Sequence, residues 1–326
     1  MSEVPFAAPL AMAAARSRAL IAALEARLTA ALADCPAVHC VAAAGSLARL
    51  EAGPGSDLDA IIVTDAPVAA PRALAARVYE ALADLPLRAP KPWGLYVEPI
   101  AVATLCDPRA RGALDEAPAN FGRRFQFLLD TRPLYGRAAH DELQRRVLQW
   151  YLGAREEAGF DLLLHDLQRY RHAYAAWQSC KFDREADDGW YLRQAKLGSS
   201  RLLGFTGLLL LIGESSRQPA RADWLAAHLR LTPLERVRAV IGAYDAVTLA
   251  RVEFHYESVM ALLFDPELRA ALVQASPPDA ATLPDAWPAP YAEIAQHTAA
   301  LERLLTRFVL ARAAVWAPSF FARLCC

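Results

Sequence analysis

Gly45-Ser46, then ten residues, then Asp57-Leu58-Asp59 running into Ala60-Ile61-Ile62-Val63 is the stretch that decides the fold. Upstream of it, Val38 to Ala44 reads as a short apolar strand, and Ser46 to Leu50 as a turn or two of helix. Glu51 to Ser56 is a Gly/Pro loop, and Leu58 to Val63 is a second strand. Carboxylates at i and i+2 of an extended segment leave from one face, about 6 Å apart. That spacing suits a pair of Mg²⁺ ions holding a nucleotide triphosphate, with Mn²⁺ as the alternative metal. A Gly-Ser turn supplies backbone N–H groups and a hydroxyl for phosphates.

Further out, Ala11 to Ala33 alternates apolar and charged positions at helical spacing, and Cys35-Pro36 stops it. Pro67 and Pro71 lead into a helix over Arg72–Leu85, and a third strand is predicted over Gly94–Val102. The expectation is an α/β domain over residues 1–118, a small mixed sheet with flanking helices. From Asn120 the pattern becomes a succession of amphipathic helices: Arg123–Leu129, Asp141–Ala158, Asp161–Lys181, Trp190–Ile212, Ala222–Leu229, Pro233–Phe264, Pro266–Gln274 and Pro290–Ala314. Pro133, Gly136, Gly159, Gly189, Pro219, Pro233 and Ser276-Pro277-Pro278 punctuate it. Residues 119–326 therefore read as an all-α helical bundle domain.

The 326 residues, 55% of them apolar, suffice for two cores. Thirty-five basic against 36 acidic residues leave a net charge of −1, which speaks against extended wrapping of nucleic acid. The N-terminus lacks a basic n-region ahead of an apolar core. The longest apolar run, Leu202 to Gly213, is about half of a spanning helix, so no membrane role is expected and the cytoplasm is the expected compartment. The six cysteines show no framework spacing; Cys35 and Cys40 flank His39 without a second ligand pair, and small buried thiols are the simpler reading.

Gly45-Ser46-Leu47-Ala48-Arg49-Leu50-Glu51 followed by Ser56-Asp57-Leu58-Asp59 resembles the signature of the DNA polymerase β-like nucleotidyltransferase superfamily. The similarity is greatest to the branch of predicted transferases akin to the PII uridylyltransferase and the minimal antitoxin-type enzymes. A second patch, Asp166-Leu167-Gln168-Arg169-Tyr170-Arg171, Lys181 and Trp190 to Leu203, is similar to the helical domain of uncharacterised bacterial members. The resemblance implies a nucleotidyltransferase fold in the first domain. It also implies that Asp57 and Asp59 ligate the metal, that Gly45, Ser46, Arg49 and Ser56 meet the nucleotide, and that a helical domain closes on it. Arg193, Lys196 and Ser200 fall at i, i+3 and i+7 of one helix. By resemblance Lys196 and Ser200 reach the β- and γ-phosphates, with Arg193 and Arg201 as electrostatic support; a solvated face pairing with Asp166 and Asp183 is the plainer alternative.

The superfamily usually adds a third carboxylate on a following strand, and Glu98 is the candidate, with Tyr96 and Ile100 on its face. An edge-strand glutamate beside Pro99 is the plain alternative. Likewise Asp57 could cap a turn and Asp59 could be a solvated edge residue. No P-loop, H-E-x-x-H or G-x-S-x-G motif occurs. Trp177, Trp190, Trp224, Tyr170 and Tyr174 could stack a base but read as core. The expected activity is transfer of an NMP from an NTP, ATP by default, to a protein, small-molecule or RNA-end acceptor. The alternative is a nucleotide-binding regulatory or antitoxin-like module with little turnover. A metal-dependent glycosyltransferase is a distant third, which the Gly-Ser element speaks against.

Overall fold

A computed structural model describes residues 9–88, 95–153, 155–180, 189–275 and 287–325. Gly94, Lys181, Asp183 and the Ser276-Pro277-Pro278 linker lie outside them. The chain divides into two compact units, Ala13–Asp166 with Ala220–Thr232, and Met1–Met12 with Leu167–Pro219 and Pro233–Cys326.

The first unit holds a four-stranded mixed sheet in the order β3-β2-β1-β4. Strand β1 (Val38–Ala44) runs antiparallel to β2 (Asp59–Thr64) and to β4 (Thr131–Tyr135), while β3 (Ile100–Ala101) is parallel to β2. Helix α1 (Pro9–Ala31) presents Leu20, Leu24 and Leu28 at i, i+4, i+8, and α3 (Pro71–Glu80) presents Ala75 and Val78. They bury these against Val41 and Ala43 of β1 and Ala60 and Ile62 of β2. The intervening Ala42, Ala44, Ile61 and Val63 are buried as well, though outside that cluster. A sheet covered on both faces needs apolar residues at every position rather than alternation, which is why β1 and β2 read as continuous runs. Among the described residues the remaining helices of this unit are α2 (Gly45–Ala48), α4 (Val102–Leu105), a 3-10 turn at Pro108–Ala110, α5 (Pro118–Leu129), α6 (Arg137–Leu152), the first part of α7 (Glu156–Cys180) and Arg221–His228.

Two expectations change here. The sheet-bearing unit continues past residue 118, because Thr131–Tyr135 pairs with β1. This strand carries Pro133, a residue tolerated where a strand has a free side, and β4 is an edge. The strand expected over Gly94–Val102 contracts to Ile100–Ala101, and Val102 already opens α4.

The second unit is helical among the described residues. Its longest apolar element is α8 (Trp190–Ser215), of which 72% of the most apolar window is buried inside the fold, as expected of a core helix. Gly207 of α8 lies so close to the Pro233 carbonyl that a Cβ would approach it to 3.0 Å. The helix expected over Pro233–Phe264 is two, Pro233–Ile241 and Ala246–Phe264. Asp245 caps the second, its carboxylate accepting the Thr248 N–H (2.8 Å) and hydroxyl (2.7 Å). Ala289–Ala311 ends three residues before the expected Ala314, and a further helix, Pro318–Cys325, follows it.

Candidate functional site

Strand β1 ends at Ala44, directly across from Asp59. Ala44 is extended, and Gly45 then turns the chain with φ +68° into the short helix α2. A Cβ built on Gly45 would stand 3.0 Å from Asp59 Oδ2. Glycine is thus required twice over, by the left-handed backbone and by the carboxylate lying against its Cα. The turn closes at its far end with Leu50 at φ +63°. The Leu50 N–H donates to the Leu47 carbonyl (3.1 Å), and the Glu51 N–H to that of Ser46 (2.8 Å). This is a Schellman closure with leucine where glycine is usual, a conformation that costs roughly 1–2 kcal/mol and that burial of the leucine offsets. Ser46, half-buried, sits between these two constrained residues.

The two acids share a side. Leu58 is in the core cluster with Ala60 and Ile62, so Asp57 and Asp59 are directed away from it; Asp57 is exposed and Asp59 half-buried. Asp57 lies just outside β2, where a parallel bridge to Arg88 holds it. The Leu58 N–H donates to the Arg88 carbonyl (2.8 Å), and the Arg88 N–H to that of Ser56 (3.0 Å). The same arrangement sets Arg88 Nε 3.1 Å from Asp57 Oδ1, both side chains more than half exposed. Ser56 has a local task, its Oγ accepting the Gly53 N–H at 3.0 Å across the Gly53–Ser56 turn. The donors therefore fit Mg²⁺, which binds hard oxygens and commonly takes one or two carboxylates plus substrate phosphates. The space a Gly45 side chain would fill keeps the Asp59 oxygen beside the bend. Among the described residues no group of three or more His, Cys, Asp or Glu side chains comes together.

Glu98 is the expectation that changes most. It lies in a bend before β3, not on a strand, and pairs with Arg72 (Nε–Oε1 3.3 Å). That bend is nevertheless tied to β2. The Tyr79 hydroxyl donates to the Tyr96 carbonyl at 2.9 Å and lies 3.4 Å from that of Ala60, the residue after Asp59. Burial, and then the charge of Asp59, push the Tyr79 hydroxyl well above the usual phenol range. Arg123 of α5 donates through Nε to the Leu95 carbonyl (2.6 Å) at the start of the same bend. Burial pulls its guanidinium below the usual range, opposed by the nearby Glu98, Tyr96 and Tyr79. Sequence reading missed both residues. Tyr79 fell inside the helix expected over Arg72–Leu85 and Arg123 at the start of the one expected over Arg123–Leu129, and neither was given a role.

No family model, no curated protein and no solved structure matches this chain. The site stands on its own geometry.

Arg49 is placed differently from the phosphate contact implied for it. It is buried, its Nε 2.8 Å from Glu51 Oε2 and its NH1 2.5 Å from Asp130 Oδ2, and Gln126 also donates to Asp130. Two buried carboxylates need a cation between them, and Arg49 is that cation. Arg193, Lys196, Ser200 and Arg201 belong to the helical unit. Residues Leu197–Arg201 form a π turn within α8, which shifts the phase of the face expected from i, i+3, i+7. Ser200 is consequently buried alongside Ser199, whose hydroxyl donates to the Ala195 carbonyl at 2.6 Å. Arg193 and Lys196 are half-buried, Arg193 Nε donating to the Gln178 carbonyl (3.3 Å). Arg201 lies over the Tyr174 ring, 4.9 Å from its centroid. Tyr170 and Tyr174 stack on each other, and of the five aromatics read as core Tyr170 is buried, Tyr174, Trp190 and Trp224 are half-buried and Trp177 is exposed.

Proposed function

We propose that this chain is a Mg²⁺-dependent nucleotidyltransferase that moves an NMP from an NTP, ATP by default, to a protein, small-molecule or RNA-end acceptor. The observation that carries the reading is the Asp59 carboxylate lying against Gly45, which joins the two halves of the motif in one corner. Asp57 and Asp59 would hold the metal. Bound there, Mg²⁺ would neutralise phosphate charge and fix the geometry of in-line displacement at the α-phosphorus.

The remaining work falls to the chain. Gly45, without a side chain, lets phosphate oxygens approach the backbone, and the Ser46 hydroxyl donates to them. Asp57 would give up its contact with Arg88 to hold the metal, an exposed pair worth at most about 1 kcal/mol. Glu98 takes the proton of the attacking hydroxyl, leaving Arg72, another exposed partner. Rate enhancement would come from orientation and charge placement.

A second reading has specific support: a nucleotide-binding regulatory module with little turnover. Glu98 is off the strand and paired, and no three acids gather among the described residues. One experiment separates the two. The pure protein is incubated with each α-labelled NTP and Mg²⁺ in cell lysate, beside an Asp57→Asn/Asp59→Asn variant. Label on an acceptor that depends on the acids supports transfer. Tight NTP binding without pyrophosphate release favours the module, and equal labelling by the variant rejects the transfer mechanism.

A further inference from the structure

Arg123 is a buried cation without a buried anion. It is 8% exposed, and its one hydrogen bond among the described residues runs from Nε to the Leu95 carbonyl at 2.6 Å. No described carboxylate lies within ion-pair distance of it. Its neighbour on α5 shows the usual solution: Arg124 is held in a two-pronged pair by Glu116, with NH1 2.7 Å from Oε1. The charge of Glu98 acts on Arg123 from beyond ion-pair distance, but that carboxylate is exposed and paired with Arg72, so the buried guanidinium bears a desolvation cost that a buried carboxylate would normally offset.

Its location gives that charge a use. Leu95 precedes Tyr96, whose carbonyl takes the Tyr79 hydroxyl, and that hydroxyl also lies 3.4 Å from the carbonyl of Ala60, next to Asp59. A short relay of backbone and side chain thus connects the guanidinium to the acid corner within one compact unit. With Nε engaged, the two terminal amino groups keep the planar fork that suits phosphate oxygens.

We propose that Arg123 is a phosphate-binding residue of this corner, its terminal amino groups receiving a phosphate of the nucleotide or of a phosphorylated acceptor. The inference rests on the nucleotide-site reading above and names the cation which that reading lacked in the sheet-bearing unit.

The test uses the full chain, with Arg123→Met, Arg123→Lys and Asp59→Asn variants. Binding of ATP, of tripolyphosphate and, at saturating ATP, of glycerol phosphate is measured by calorimetry with and without Mg²⁺. Arg123→Met should weaken the polyphosphate by about 30-fold, the loss of a charge-assisted fork, both with and without Mg²⁺. Arg123→Lys should recover part of that. Asp59→Asn should remove only the Mg²⁺-dependent gain. If the loss appears for glycerol phosphate instead, the phosphate belongs to the acceptor. Unliganded Arg123→Met should melt no lower than wild type, because an uncompensated charge has been removed. A lower melt with unchanged affinities marks a structural arginine and overturns the proposal. Mg²⁺-dependent ATP binding lost in Asp59→Asn but kept in Arg123→Met also overturns it, while the site reading survives. Loss in Arg123→Met with Asp59→Asn unaffected does the reverse. A wild type that binds none of the three ligands ends both.

Discussion

Replacing Gly45 with alanine separates the two demands placed on that residue. The first is backbone: φ +68° costs an L-residue roughly 1–2 kcal/mol. The second is contact: the new Cβ would stand 3.0 Å from Asp59 Oδ2, closer than the ~3.3–3.6 Å of ordinary carbon–oxygen approach. The carboxylate must withdraw by a few tenths of an ångström. Gly55 supplies the control, since its φ of +67° carries the same backbone demand while its Cβ would meet nothing within 4 Å. Urea unfolding should therefore show a cost of about 1–2 kcal/mol for Gly55→Ala and about 1 kcal/mol more for Gly45→Ala. In an Asp59→Ala background that excess should vanish, leaving the backbone part. Mg²⁺-dependent ATP affinity should fall about tenfold in Gly45→Ala and hold in Gly55→Ala, because small displacements of a ligating group are costly. Equal losses for the two alanines in both assays would refute the claim that Asp59 rests on the bend.

Two further outcomes follow from buried charges. Arg49→Met should cost about 3–5 kcal/mol in urea unfolding, since it removes the guanidinium that pairs with both buried carboxylates, Glu51 and Asp130, whereas an exposed phosphate ligand could be removed almost freely. His140, buried against Phe127 with Thr131 and Asp141 at its nitrogens, is held below its usual range chiefly by burial. The folded form then favours neutral imidazole, while the unfolded chain protonates near pH 6.5. Its contribution is present above about pH 6.5 and lost as pH falls below it. The urea midpoint of wild type should drop more between pH 7 and pH 5 than that of His140→Gln; parallel curves would contradict the sign.

What the sequence revealed and what it hid have physical causes. Val38–Ala44 and Leu58–Val63 were legible because both faces of these strands are largely covered, so apart from His39 and Asp59 every position is apolar and buried. The Gly45 bend was legible because its positive φ and the carboxylate beside it call for glycine. Strand β4 was hidden by Pro133, which reads as a breaker and is tolerated because β4 is an edge strand among the described residues. The break after Ile241 carried a signal that went unused, Asp245 three residues before Thr248, a helix cap. Arg49 and Arg123 show the limit most plainly: an arginine at a helical position looks the same whether it faces water, a buried carboxylate or a ligand, and only packing distinguishes these.

The most direct test is a crystal of the protein grown with Mn²⁺ and a non-hydrolysable ATP analogue, read by anomalous scattering at the manganese edge. The account predicts a peak bonded to Asp57 and Asp59, with triphosphate oxygens beside Gly45 and Ser46. Manganese and nucleotide bound away from these two carboxylates, or Asp57 still held by Arg88 with nucleotide present, would contradict it.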